Sequence, residues 1–290
     1  MDLIYKKPEV VAEIGCNHKG DIAIAKEMIK MAKLFCGVNI VKFQKRNNKE
    51  LLTPAEYNTP HPSSENSYGQ TYGDHREFLE FTKDQHKELK EYCDKIGIEY
   101  SCSVWDLTSA KEIISLNPKR IKIPSACNLK MDLLSYVRDN FNGEIHLSLG
   151  MTTRAEEDLI VQFFVDKGRN KDIILYACTS GYPVAINDLC LLEIRRLKNK
   201  FGHIVKYIGF SGHHAGLGVD ISAYTLGADF IERHFTLNRA WKGTDHAASL
   251  EPDGLRRLAR DLNSTFAALR FKDKEILDIE DAQRKKLKRF

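Results

Sequence analysis

The chain has 290 residues and carries 44 Lys and Arg against 40 Asp and Glu, a net charge of +4. That balance is too mild for a nucleic-acid binder, and no basic stripe interleaved with aromatics is present. No stretch approaches the roughly 20 apolar residues of a membrane span, and the N-terminal run MDLIYKKPEVVAEIG is too charged for a signal peptide. The 7 cysteines are scattered without a Cys-x-x-Cys pair, which excludes zinc ribbons and thioredoxin-like motifs. Reduced thiols and the missing leader predict a cytoplasmic protein.

Taken in chain order, short apolar runs alternate with amphipathic stretches. The predicted strands are Glu9–Ile14, Asn39–Gln44, Ile98–Ser103, Arg120–Pro124, Glu144–Ser148, Asp172–Ala177, Val205–Phe210 and Phe230–His234. Runs such as VVAEI, NIVKF and DIILYA are largely apolar, as strands buried on both faces require. Between them fall helical patterns at Ile22–Phe35, Lys83–Lys95, Ser109–Ser115, Lys130–Asn140, Ala155–Lys167, Ile186–Lys200, Val219–Leu226 and Pro252–Leu269. Cys36, Cys93 and Cys190 sit in or beside these patterns and are expected to act as small core residues. Eight βα units predict an α/β fold of one domain, a (β/α)8 TIM barrel. It is expected to fill residues 1–272, leaving 273–290 as a tail that ends in the basic run Ala282–Phe290. One connection departs from the pattern. Lys45–Phe81 is long and rich in Pro, Asn, Ser, Gly and Tyr, and its end, Tyr68–Arg76, suits an ordered lid.

Polar residues within the strands gather toward their C-terminal ends, where this fold builds active sites. They are Glu13, Lys42, Gln44, Ser103, Lys122, Ser148, Ser211 and His234, with His213 just beyond. His213 and His234 follow adjacent strands, about 4.8 Å apart in a sheet, so both imidazoles can reach one transition-metal ion. His214 is a rival ligand. Lys42 and Lys122 interrupt apolar strands, and two ammonium groups facing one cavity would bind a phosphate or carboxylate. Ser103, Ser125, Ser148, Ser180 and Ser211 add neutral donors. A Schiff-base lysine is the competing reading of the same pair. Glu13 and Asp245 are placed to bind hydroxyls or move protons.

At these residues the chain resembles the sialic acid synthases, the N-acetylneuraminate and N-acetylneuraminate 9-phosphate synthases. The resemblance rests on VAEIGCNHKGD at Val11–Asp21, VKFQK at Val41–Lys45 and TYGDHREFLEF at Thr71–Phe81. It continues through IKIPSACN at Ile121–Asn128, CTSGYP at Cys178–Pro183, IGFSGHHAG at Ile208–Gly216 and IERHFTLNRAWKGTDHAASLEP at Ile231–Pro252. It implies condensation of phosphoenolpyruvate with the open-chain aldehyde of a mannose-type sugar, with release of phosphate. It implies a divalent ion, Mn2+ or Mg2+, on His213 and His234, and phosphoenolpyruvate on Lys42 and Lys122 with the five serines. Sugar contacts would fall on Glu13, Gln44, Tyr182 and Asp245, with Tyr72 and Asn128 as further substrate contacts. Lys45, His75 and Arg76 are candidates for a sugar phosphate. Two departures stand out. Cys127 occupies a position that is acidic in many relatives. The matching segments also end where typical synthases continue into an antifreeze-like domain, so a homodimer of another kind, or a separate cap-domain protein, is expected. Without the arginine of that domain, plain mannose becomes an acceptable substrate. The remaining alternatives are a Schiff-base aldolase or lyase acting on a related keto acid, and a barrel that binds a sugar without catalysis.

Overall fold

The computed structural model describes residues 5–289; residues 1–4 of the N-terminal run and residue 290 of the tail lie outside the described residues. Eight parallel strands close into a barrel in chain order: β1 (Glu9–Gly15), β2 (Ile40–Lys45), β3 (Glu99–Val104), β4 (Arg120–Ile123), β5 (Glu144–Ser148), β6 (Ile173–Cys178), β7 (Tyr207–Gly212) and β8 (Phe230–His234). The helices are α1 (Ile22–Leu34), α2 (Asn48–Leu51), α3 (Pro54–Asn58), α4 (Tyr72–Leu79), α5 (Lys83–Ile96), α6 (Leu107–Ile114), α7 (Met131–Asn140), α8 (Arg154–Val165), α9 (Leu192–Phe201), α10 (Gly218–Thr225), α11 (Pro252–Ala268) and α12 (Asp278–Leu287). No helix among the described residues is long and apolar enough to cross a membrane.

The alternation of side chains along each strand divides the core in two. One parity, including Ala12, Ile14, Phe43, Cys102, Ile121, Leu147, Leu175 and Phe210, joins helix residues such as Met28, Ile29, Leu89 and Leu258 in the main hydrophobic layer. The helices meet it with stripes spaced three and four residues apart, as Ala25, Met28, Ile29 and Ala32 do on α1. The other parity faces the barrel axis. Among the described residues, Val11, Ile40, Ile174, Tyr176 and Phe230 form the buried apolar cluster there. The rest of the axis is polar along much of its length. Arg120 pairs with Glu99 and lies 3.4 Å from Glu144, while His146 Nδ1 meets the Tyr176 hydroxyl at 2.7 Å. Polar residues are therefore not confined to the rim, as the strand ends had suggested.

Three further expectations are corrected. Ile186–Lys200 is not one helix. A short 3-10 turn at Ile186–Asp188 precedes α9, and Cys190 between them has φ +48, a left-handed conformation no helix interior accepts. Cys190 is exposed and takes no part in the core. The Lys45–Phe81 segment is not a bare loop. It folds into α2, α3 and α4, and Thr53 and Thr71 cap the last two with reciprocal boxes. Gly73 lets α4 approach α3 closely, since a Cβ there would fall 2.4 Å from the Tyr57 ring. The basic tail forms the helix α12, which buries none of its residues.

Candidate active site

The C-terminal ends of the strands surround a cavity of about 490 Å³, lined among others by Glu13, Lys42, Lys122, Glu232, His213, His234 and Asp245. Strand register places them. Glu13 pairs with Lys42 on one side and with His234 on the other, Ser103 lies beside Lys122, and Ser211 beside Glu232. Each pair shares a height on the axis and a direction, so charges distant in sequence meet in one layer.

Four of them form an array. Lys42 is ion-paired with Glu13 and donates to Ser103 Oγ at 2.8 Å. Lys122 donates to Glu232 Oε1 at 2.6 Å, and Lys42 Nζ lies 3.7 Å from the same oxygen. Ser211 donates to that oxygen at 3.1 Å. The two carboxylates are driven apart. Burial raises Glu13 to about 7, outweighing the attraction of Lys42, with the Glu232 charge adding to the rise. Burial pushes Glu232 up too, but Lys122 and Lys42 hold it down to about 2. Two environments thus give one carboxyl group able to exchange a proton near neutral pH and one that stays charged.

The imidazoles lie across the layer with ring centroids 5.4 Å apart. His213 Nδ1 meets the Thr179 carbonyl at 3.1 Å. A carbonyl only accepts, so that nitrogen carries the hydrogen and leaves a lone pair on Nε2. Burial, with the neighbouring His234, lowers the His213 pKa to about 3, and burial lowers that of His234 against the pull of Asp245. Both rings are therefore neutral, the state that binds metal. His234 Nδ1 is buried without a hydrogen-bond partner, 3.9 Å from the Asp245 carboxylate. No group of three His, Cys, Asp or Glu donors stands preassembled for a metal among the described residues. The donor set that is present fits a divalent ion held by two imidazoles with its other positions open. His214 is excluded as a ligand. It is fully buried on the opposite parity, where Arg233 donates to its Nε2 at 3.1 Å and to Asp220 at 2.5 Å.

Part of the cavity wall is a cradle of small donors that includes Ser125 and Ser180. Gly150 donates its backbone N–H to Ser125 Oγ at 3.1 Å. A Cβ at Gly150 would lie 2.4 Å from Ser180 Oγ, so only glycine admits both serines there. Ser103, Ser148 and Ser211 line the same space, as do Gln44 and Tyr182, whose ring is 4.3 Å from that of His213.

The lid supplies the remaining wall. Tyr72, His75 and Arg76 of α4 face the cavity. Arg76 is 8% exposed, and its guanidinium lies 5.2 Å from the Tyr72 ring and 5.7 Å from that of Trp105. Its Nε has no hydrogen-bond partner among the described residues. Burial and the neighbouring Arg46 lower its pKa. Tyr68 N donates to His75 Nδ1 at 3.1 Å, and burial beside His61 lowers His75 to about 4, so it is neutral.

Two predicted site residues lie elsewhere. Lys45 points outward on β2, 3.6 Å from Glu112, because its parity is opposite to that of Lys42 and Gln44. Asn128 ties the β4 and β5 ends together, donating to the Ser148 carbonyl at 3.0 Å and Thr152 Oγ1 at 2.7 Å. Cys127 is buried against the Trp105 carbonyl, outside the cavity lining. The sequence reading missed Glu232, Arg46 and Trp105. Glu232 was legible from strand parity, since Phe230, Glu232 and His234 alternate on one face. Arg46 and Trp105 follow strand ends where parity no longer applies.

Lysines, neutral imidazoles and serine donors thus meet at the C-terminal mouth of a (β/α)8 barrel, the end at which enzymes of this fold carry their active sites. Comparison with known proteins narrows this. Residues 28–274 match the NeuB family, and the chain belongs to it. It is 35% identical over 278 residues to the N-acetylneuraminate-9-phosphate synthase of Homo sapiens, covering 96% of this chain and 76% of that one. It is 31% identical to the N,N'-diacetyllegionaminic acid synthase of Campylobacter jejuni, over 91% of this chain and 78% of the relative. Among solved structures, the N-acetylneuraminic acid (sialic acid) synthetase of Leptospira borgpetersenii in complex with citrate superposes with a TM-score of 0.81. That match has 27% identity and covers 97% of this chain and 93% of that one.

Proposed function

We propose that the protein condenses phosphoenolpyruvate with the open-chain aldehyde of a mannose-type sugar to give a 3-deoxy-nonulosonic acid and phosphate. The observation that carries this is the convergence of Lys42, Lys122, Glu13, His213 and His234 on one cavity. Lys42 and Lys122 hold the carboxylate and phosphate of phosphoenolpyruvate, and Ser125, Ser148, Ser180 and Ser211 donate to its oxygens. C3 of phosphoenolpyruvate bonds to the aldehyde carbon, whose oxygen takes a proton. Glu13, poised near neutral pH by burial, gives that proton. Water then adds at C2, and the C2–O bond breaks to release phosphate. A divalent ion, Mn2+ or Mg2+, on His213 and His234 would supply polarisation of the aldehyde. Asp245, Gln44 and Tyr182 orient the sugar hydroxyls.

Arg76 favours a phosphorylated sugar. A buried guanidinium with an unpartnered Nε, facing the cavity from the lid, is a ready partner for a second anion. The Schiff-base reading loses ground because both lysine amines are engaged by carboxylates, whereas an imine-forming lysine must be a free amine. The test is phosphate release from phosphoenolpyruvate with mannose, N-acetylmannosamine and their 6-phosphates, with EDTA and after Mn2+ addition. Turnover with a 6-phosphate that EDTA abolishes is expected. No turnover with any of the four, in protein that binds phosphoenolpyruvate, would leave a non-catalytic binding barrel.

A further inference from the structure

Glu232 lies in the barrel mouth, and the sequence pattern gave it no role. The residue is 5% exposed, and one of its carboxylate oxygens accepts from two donors and lies near a third cationic group. Oε1 accepts from Lys122 at 2.6 Å and from Ser211 at 3.1 Å, and lies 3.7 Å from Lys42 Nζ. Oε2 is buried with no hydrogen-bond partner among the described residues. Two ammonium groups buried side by side repel, and each can shed its charge by losing a proton.

We infer that Glu232 is a positioning residue whose carboxylate, bridging Lys122 and Lys42, keeps both ammonium groups charged and separated to receive a small dianionic substrate. The inference rests on the phosphoenolpyruvate reading and adds a residue to it. The two lysines differ in their supports. Lys42 has Glu13 as a second counter-charge, and its pKa stays above the ordinary value despite burial. Among the described residues, Lys122 has Glu232 alone as a counter-charge at contact distance. Around it stand Lys42 from β2, Glu13 from β1, His146 from β5, and Tyr176 and Cys178 from β6. His213 after β7 and His234 of β8 complete its surroundings. Most of these groups are neutral or positive, and burial already lowers Lys122. Removing the Glu232 charge leaves nothing in contact to keep Lys122 protonated.

The experiment compares wild type, Glu232→Gln and Glu232→Asp in the metal-loaded enzyme. KM for phosphoenolpyruvate and kcat are measured from pH 7.5 to 9, with direct phosphoenolpyruvate binding by calorimetry. Glutamine keeps the shape and the acceptor oxygen but not the charge. Loss of one contacting counter-charge moves a buried lysine by one or more pKa units, so KM in Glu232→Gln should climb roughly tenfold across that range. Wild type and Glu232→Asp should stay nearly flat, and kcat should change little. A purely structural role would lower activity equally at every pH. A Glu232→Gln profile parallel to wild type overturns the inference. Loss of kcat at unchanged KM also overturns it, because Glu232 would then belong to the reacting atoms. Failure of wild type to bind phosphoenolpyruvate would instead sink the functional reading itself.

Discussion

Lys42 and Lys122 share one cavity and answer burial in opposite ways, because Lys42 has two carboxylates beside it and Lys122 has one. Substitution of either by Ala is expected to raise KM for phosphoenolpyruvate by about two orders of magnitude, as loss of a charge-assisted contact that also strands a buried carboxylate. Steady-state kinetics at saturating sugar would check this. His234→Ala should instead lower kcat by two orders of magnitude or more, since polarisation of the aldehyde is worth several kcal/mol. Near-normal turnover in that variant would remove the imidazole pair from the chemistry. Arg76→Ala separates substrates: KM for a sugar 6-phosphate should rise about tenfold or more, and KM for the unphosphorylated sugar should stay nearly level. Glu13, Lys42 and Lys122 were legible in the sequence because a charged residue inside an apolar strand has few places to go, whereas Tyr182 followed only from the family resemblance. Lys45 was misplaced for a related reason. Being charged and near a strand end says nothing about which face a residue takes, and one step in register reverses it.

The lid shows what a segment gains by docking. Tyr68 stacks on Phe78 with ring centroids 4.9 Å apart and donates its hydroxyl to the Lys242 carbonyl at 2.5 Å. Gly243 N–H donates to Asn66 Oδ1 at 3.2 Å. These contacts clamp the lid onto the loop that carries Asp245, so the wall bearing Arg76 and the loop bearing Asp245 are held together. Tyr68→Ala should loosen both, raising KM for the sugar while leaving KM for phosphoenolpyruvate nearly unchanged. Faster amide exchange over residues 46–81 should accompany it. At this scale the strands and the barrel helices, apart from the start of α9, followed from apolar periodicity, with β5 and β8 bounded as expected. Helices α2, α3 and α4 were hidden because they are short and stripeless, formed by caps and docking rather than by an apolar face.

The barrel as a whole is held from outside its sheet. The layer between strands and helices is mostly apolar, with the His86–Tyr100 and Arg233–Asp220 contacts set into it, whereas the axis carries Glu99, Arg120, Glu144 and His146 near its base. Arg120→Ala should cost on the order of 3–5 kcal/mol in chemical denaturation, because it leaves two carboxylates without their shared cation. The same column sets an acid limit. Burial would raise Glu144, but the His146 and Lys206 contacts and the Arg120 charge bring it to about 2. Its pKa is lower folded than unfolded, so its stabilisation is present above the ordinary value of about 4.3 and is lost as pH falls toward 2. Tm should therefore decline from about pH 5 downward, with a shallower slope in Glu144→Gln. Odd and even positions of each strand answer to separate judges. One set settles whether the ring closes, the other what passes through its mouth. A lineage can rewrite the members of the second set that line the cavity and change what the mouth admits, while the apolar set and the ion pairs at the base keep the ring closed.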